Sequence, residues 1–466
     1  MEVIGKYRDM VINEPVGKTL LRLGLPLMVF QLVNISYNLV DTYWLSQYSD
    51  IAYAAPRQVW PFFMFINSIA QGLAAANTAL ISQAVGAQDY SYTKRVVSQF
   101  VSATLIFNGL ITFIFLLSGP FIYKYLVATP MEIYDSVVTY STIISIDLLL
   151  SGLTIGYGTI FQALGDTKTP SRFGIISSIL NVLLDPIMIF GVKIGNTVIF
   201  PDLGIAGAAW ATVLSRFIGL VLVFKVLSQK YMFLRTKLTL QIDIEWLMKS
   251  LKIGLPVTLM HMSNSLAFML QNRLINLFGV YVVAAAVIGF ILMDLADAAL
   301  WGFTFSVSTM IGQAIGANLE KRAREVAIKS MVYIGIMTSL GSLFVLIFRQ
   351  TFINVFTSIP TIVNEADLFV KLFSPTLSFF AIFFIGMSIG RGSGHTLYPT
   401  VVGIIRLWIF RLGFGYLLSV LLGTGTIGLW ISMSLSNLFS GLAVIPWALW
   451  GKWTIPVINK SEDRQG

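Results

Sequence analysis

Apolar runs of about 20 residues or more, each long enough to cross a bilayer as a helix, alternate along the chain with short polar breaks. The pattern predicts twelve membrane helices, beginning near Lys18, Ile51, Val96, Ile133, Pro170, Ile205, Trp246, Val280, Ala327, Asp367, Pro399 and Thr426. The longest polar stretch, Ser228 to Glu245, divides them six and six. Short words recur across that division. Gly24-Leu25-Pro26 returns as Gly254-Leu255-Pro256, and Gln83-Ala84-Val85-Gly86-Ala87 as Gln313-Ala314-Ile315-Gly316-Ala317, both displaced by 230 positions. Gly165-Asp166-Thr167-Lys168-Thr169-Pro170 matches Gly394-His395-Thr396-Leu397-Tyr398-Pro399 at 229, and Gly207 and Ser215 match Gly428 and Ser436 at 221. A nearly constant displacement needs matching helix and loop lengths, so the chain reads as one six-helix unit written twice. The later fall assigns about eight extra residues to the first copy's loop around Gly195 to Asp202. An even number of spans inserts both copies the same way, as parallel repeats. The expected division is an N-lobe over residues 1–227, a cytoplasmic linker over 228–245 and a C-lobe over 246–466.

Composition agrees with a bilayer protein: 56% of residues are hydrophobic, 11% are charged and the mean hydropathy is +0.80. Lys and Arg set the orientation. With the N-terminus in the cytoplasm, the inner segments carry 22 of them, Arg391 included, and the outer segments 6, which places both termini inside a multi-pass plasma-membrane protein. The same bias accounts for the net charge of +9 without any nucleic-acid partner. No short h-region with a cleavage site opens the chain, so the first span is expected to act as its own insertion signal. With zero cysteines there are no disulfides or thiolate metal sites. The short loops leave no room for an extramembrane catalytic domain, and no cofactor is called for.

Five acidic residues fall inside spans: Asp41, Asp147, Asp185, Asp294 and Asp297. A carboxylate near the bilayer centre costs on the order of 3 kcal/mol, so each asks for a function or for a buried partner. Asn34, Tyr37, Asn38 and Asp41 recur at helical spacing and share one polar face of the first helix. Asn181 and Asp185 stand one turn apart on the fifth, followed directly by Pro186. Counting about 1.5 Å per residue puts Asp41, Asp185, Tyr140 and Thr212 in the outer half of the first bundle. Two carboxylates, an amide oxygen and a hydroxyl there suit a dehydrated monovalent cation or shared protons. Pro26 lies within an apolar run, where proline frees carbonyls and makes a hinge.

These words, together with Ala163-Leu164-Gly165 and Gly207-Ala208-Ala209-Trp210-Ala211-Thr212, resemble those of the multidrug and toxic compound extrusion (MATE) transporters over essentially the whole chain. The resemblance implies an all-α membrane fold with two six-helix lobes around a central cleft. It also implies export of drugs and toxic organic cations in exchange for sodium or protons, without enzymatic activity, by a monomer among membrane lipids. The archaeal and DinF-like branch places its ion site on residues that fall here on Asp41, Asn181, Asp185 and Thr212, with Tyr140 nearby, and bends its first helix at a proline that falls on Pro26. The second-lobe acids of the NorM-like branch are missing: Gln271 stands in the seventh helix, and Asp367 is the one acid of the tenth, at its outer end. Asp294 and Asp297 lie on a different helix, within reach of neutralisation by Arg406 or Arg411. A related architecture, the lipid-linked oligosaccharide flippase, is the alternative reading.

Other motifs carry less. Gly423, Gly425 and Gly428 satisfy G-x-G-x-x-G, but between two membrane spans rather than after a strand, which excludes a dinucleotide fingerprint. His261 and His395 are far apart and read as ordinary hydrogen-bonded histidines. The charged run Glu320 to Glu325 reads as a solvated helix or loop. Some of the 34 Phe and 17 Met side chains would line a forgiving drug cavity, since methionine adapts its shape and ring faces attract cations.

Overall fold

The computed structural model describes residues 2–49, 54–234 and 238–458, the side chains of residues 2 and 292–299 excepted. Among the described residues, twelve long helical spans appear. The first six are α2 (Val16–Tyr48), α3 (Ala54–Gly86), α4 (Tyr90–Phe121), α5 (Met131–Ala163), α6 (Lys168–Phe190) and α7 (Gly204–Lys230). The second six are α8 (Ile244–Asn276), α9 (Val280–Gly316), α10 (Glu320–Phe356), α11 (Pro360–Phe373) running through a tight turn into α12 (Leu377–Ser393), a broken span from α13 (Leu397–Ile405) through α14 (Phe414–Tyr416), and α15 (Thr426–Trp450). Leu117, Leu126 and Leu340 are each at least 63% exposed, a belt that suits acyl chains.

Several boundaries differ from the sequence expectation. The tenth span begins at Pro360, a proline at the first helical position, rather than near Asp367. The charged run from Glu320 is the first turn of α10. Ile51, the expected start of the second span, lies outside the described residues. Two elements have no apolar run to announce them. One is the short α1 (Glu2–Asn13), which buries Ile4, Met10 and Val11. The other is a hairpin of β1 (Val192–Ile194) and β2 (Thr197–Phe200), formed by the extra residues of the first copy. In the eleventh span, π-helical turns at Arg406–Gly413 and Leu417–Leu421 replace the regular helix of α6.

The words around Gly86 and Gly316 sit where the two sets of helices meet, on the linker side. A Cβ on Gly86 would overlap the main-chain carbonyl of Gln313, and one on Gly316 that of Gln83, so only glycine permits this approach. The glutamines then cross between the sets. Gln83 Nε2 donates to the carbonyls of Gly392 at 3.2 Å and Ser393 at 3.1 Å, at the end of α12. Gln313 Nε2 donates to the carbonyl of Ala163 at 2.9 Å, at the end of α5. Ala163 and Gly392 are themselves equivalent at the 229 displacement. Each set therefore satisfies helix-end carbonyls of the other, and the linker side is closed. Arg8 adds a hydrogen bond from Nε to the Gly86 carbonyl at 2.9 Å, and the main-chain N–H of Val457 one to Gln83 Oε1 at 3.0 Å.

Candidate functional site

The polar interior of the first helix set is built from α2, α5, α6 and α7. Asp185 is fully buried and Asn181 is 2% exposed. Asn181 Nδ2 donates to Asp185 Oδ1 and to Thr212 Oγ1, each at 3.4 Å. The (i, i+4) spacing on α6 brings the first pair together, and α7 packing on α6 supplies the hydroxyl. Thr212 also donates to the carbonyl of Ala208 at 3.2 Å, which leaves its oxygen to accept. Hydrogen bonds thus join Asn181, Asp185 and Thr212, while Asp41 and Tyr37 lie on α2 and Tyr140, 8% exposed, on α5.

The state of their oxygens sets the chemistry. Asp41 Oδ1, Asn181 Oδ1 and Asp185 Oδ2 are buried and accept no hydrogen bond. Buried acceptors left without donors are costly as they stand. A monovalent cation, or a proton on either carboxylate, is what they can hold. Among the described residues no three His, Cys, Asp or Glu side chains gather as a metal-ligating group, and the oxygens of Asp41, Asn181, Asp185 and Thr212 are hard donors.

Asp147 plays a different part. Its Oδ1 lies 2.6 Å from Nε of Arg216 on α7, with the carboxylate 1% exposed. A buried pair of this kind holds α5 to α7 and leaves Asp147 less free to carry an ion. Arg216 was not among the candidates of the sequence, although an arginine amid apolar residues is a signal in itself. On the same face of α2, Asn34, Tyr37 and Asp41 are half-buried and Asn38 is exposed, its Nδ2 donating to the carbonyl of Asn34 at 2.9 Å. The helix α2 stays helical through Pro26. The side chains of Asp294 and Asp297 lie outside the described residues.

The second helix set repeats the scaffold without the cluster. Gln271, the counterpart of Asp41, is 2% exposed, and Phe410 and Phe414 replace Asn181 and Asp185 and meet edge to face at 5.1 Å. Asp147 and Arg216 correspond to Thr376 and Asn437, whose Oγ1 and Nδ2 are hydrogen-bonded at 3.1 Å. An ion pair in one half is a neutral hydrogen bond at the same place in the other. Of the two histidines, His261 meets Arg391 and His395 the Ser393 carbonyl, separate environments with no shared ligand. Burial and the nearby Lys252 hold the His395 imidazole below its ordinary range, against the Ser393 contact.

Comparison with known proteins gives the same division. The family model described as MatE matches twice, over residues 26–187 and 256–417, again 230 positions apart. The chain is similar to the probable multidrug resistance protein NorM of Thermotoga maritima, at 24% identity over 94% of the chain and 93% of that protein. It is also similar to a protein of Shewanella oneidensis named FAD transporter, at 26% identity over 94% and 95%. Among solved structures, the Vibrio cholerae MATE transporter VcmN in its bent form superposes with a TM-score of 0.85 at 25% identity, covering 94% of this chain and 97% of that one.

Proposed function

The chain belongs to the MatE family of membrane transporters, and from that premise we propose that it is a secondary exporter of small organic compounds whose coupling ion sits on Asp41, Asn181, Asp185 and Thr212. It is a transporter and not an enzyme. The observation that carries the proposal is the set of three buried acceptor oxygens without donors. A sodium ion or proton entering there neutralises the carboxylates; a cationic drug near the same charges competes with it. Competition for one charged region is a coupling free energy, which is what antiport requires. Tyr37 and Tyr140 border the site, and Pro26, below it on α2, supplies the hinge through which ion occupancy moves that helix.

Residues 1–227 and 246–466 serve as the rocking lobes, joined by 228–245, in the cell membrane with both termini in the cytoplasm. On that topology the contacts of Gln83 and Gln313 close the cytoplasmic side. A lipid-linked oligosaccharide flippase would call for cations around a phosphate, whereas the first lobe offers carboxylates. Export into everted vesicles, under separately imposed sodium and proton gradients, tests the reading. One gradient should drive uptake in the wild type and neither in Asp41→Asn or Asp185→Asn. Full uptake by both variants would overturn it.

A further inference from the structure

The second helix set holds a buried cation with no ion pair among the described residues. Arg391, placed by its sequence position among the linker-side charges, lies inside α12 and is 4% exposed. Its guanidinium is 5.2 Å from the ring of Trp301 and 5.5 Å from that of Phe305, both on α9. Its Nη2 donates to Nε2 of His261 on α8 at 3.4 Å, and Nε has no hydrogen-bond partner. Among the described residues Arg391 forms no ion pair. Ring faces attract a guanidinium, but they leave the in-plane N–H groups unmet, and these are the groups that recognise oxyanions. His261 stacks on Trp301 at 6.4 Å and 24°, and both rings are half-buried rather than sealed.

The duplicated chain supplies an internal control. At displacements of 230 and 229, His261, Trp301 and Arg391 correspond to Gln31, Gln71 and Gln162. Three neutral amides in the first copy are a cation, an imidazole and an indole in the second. The scaffold itself therefore folds without a buried cation at this place. The change runs opposite to that at Asp41 and Asp185, which the second copy replaces by an amide and an aromatic ring.

We propose that Arg391, His261 and Trp301 form a substrate subsite for the oxyanion of a planar aromatic compound, the fork of Arg391 holding the carboxylate or phosphate and Trp301 stacking on the ring. The subsite rests on the export reading for its purpose, but not for its test, which is binding to the purified full-length protein with no gradient present. The probes are matched pairs that differ in the anion. Flavin mononucleotide and riboflavin share a ring and differ by the phosphate; nicotinate and nicotinamide differ by the carboxylate. The wild type should prefer the anionic member of at least one pair by about tenfold, the scale of a charge-assisted hydrogen bond. The flavin pair reports phosphate recognition, the nicotinate pair carboxylate recognition.

Arg391→Gln, which copies the first lobe, should abolish the preference, so that the two members of a pair bind alike. Arg391→Lys keeps the charge without the fork and should retain only part of it, so a poorly folding glutamine variant leaves the test intact. Trp301→Leu should weaken both members of a pair alike. No preference in either pair, or a preference that survives Arg391→Gln, overturns the subsite. Binding with the expected preference but no export would instead sink the transport reading and leave the subsite standing.

Discussion

The two halves of this protein share a six-span scaffold and disagree in the chemistry they bury. Where helices of the two sets touch, the copies are interchangeable: Gly86 fits against Gln313 as Gly316 fits against Gln83, and each glutamine reaches the other half's helix end. Away from that contact the equivalents diverge. Asp41 faces Gln271, Asp185 faces Phe414, the Asp147–Arg216 pair faces Thr376–Asn437, and Gln162 faces Arg391. Close packing tolerates little change in volume, so geometry is shared, while interior polarity was free to specialise. On the proposed reading it is the first half, with its buried carboxylates, that holds the coupling ion.

Copying residues from one half into the other is the direct way to break that contrast. The largest effect is expected from Asp41→Gln and Asp185→Phe, which give the first half the second half's residues. Drug export in vesicles should fall to background, and the protein should still insert and purify. Next is Asp147→Thr alone, which leaves the half-buried Arg216 without its carboxylate and should cost about 1 to 3 kcal/mol, read as a lowered Tm in detergent. Adding Arg216→Asn recreates the second half's hydrogen bond and should recover most of that loss, since residues in contact are coupled. A Tm that falls further in the double variant would show that the pair is not interchangeable with Thr376–Asn437.

Smaller effects concern the shared contact. Gly86→Ala sets a Cβ against the Gln313 carbonyl and should disfavour closure of the linker side by about 1 to 3 kcal/mol. Gln83→Ala and Gln313→Ala each remove a crossing hydrogen bond, worth about 1 kcal/mol. Because the chain has no cysteine, a pair of introduced spin labels, one on each half, reports closure without interference. The populations should open in the order Gly86→Ala, then the double glutamine variant, then either single one.

Much of this contrast was legible in the sequence, for a physical reason. Membrane spans must satisfy their backbone internally, so apolar length marks the helices, and a carboxylate inside one stands out against its surroundings. Counting turns brings Asp41, Asp185, Tyr140 and Thr212 to one depth, and the family resemblance adds Asn181. What required three dimensions was pairing. Arg216 has no sequence neighbour that names Asp147, and Arg391, near the end of its helix, looked like a loop charge until its guanidinium was found among rings. The hairpin at Val192–Phe200 is too short and too exposed for a periodic signal. The repeated glutamines were visible from the start, but their partners lie 309 and 150 residues away.

The central claim is that the coupling ion occupies the first half and leaves when substrate arrives. It is tested most directly by measuring ion release from purified protein on addition of a transported drug, with a pH dye for protons and radioactive sodium for the alternative. The wild type should release one of the two ions, and Asp41→Asn and Asp185→Asn should release neither. Undiminished release from both variants, or its loss only on changing residues of the second half, would contradict the assignment.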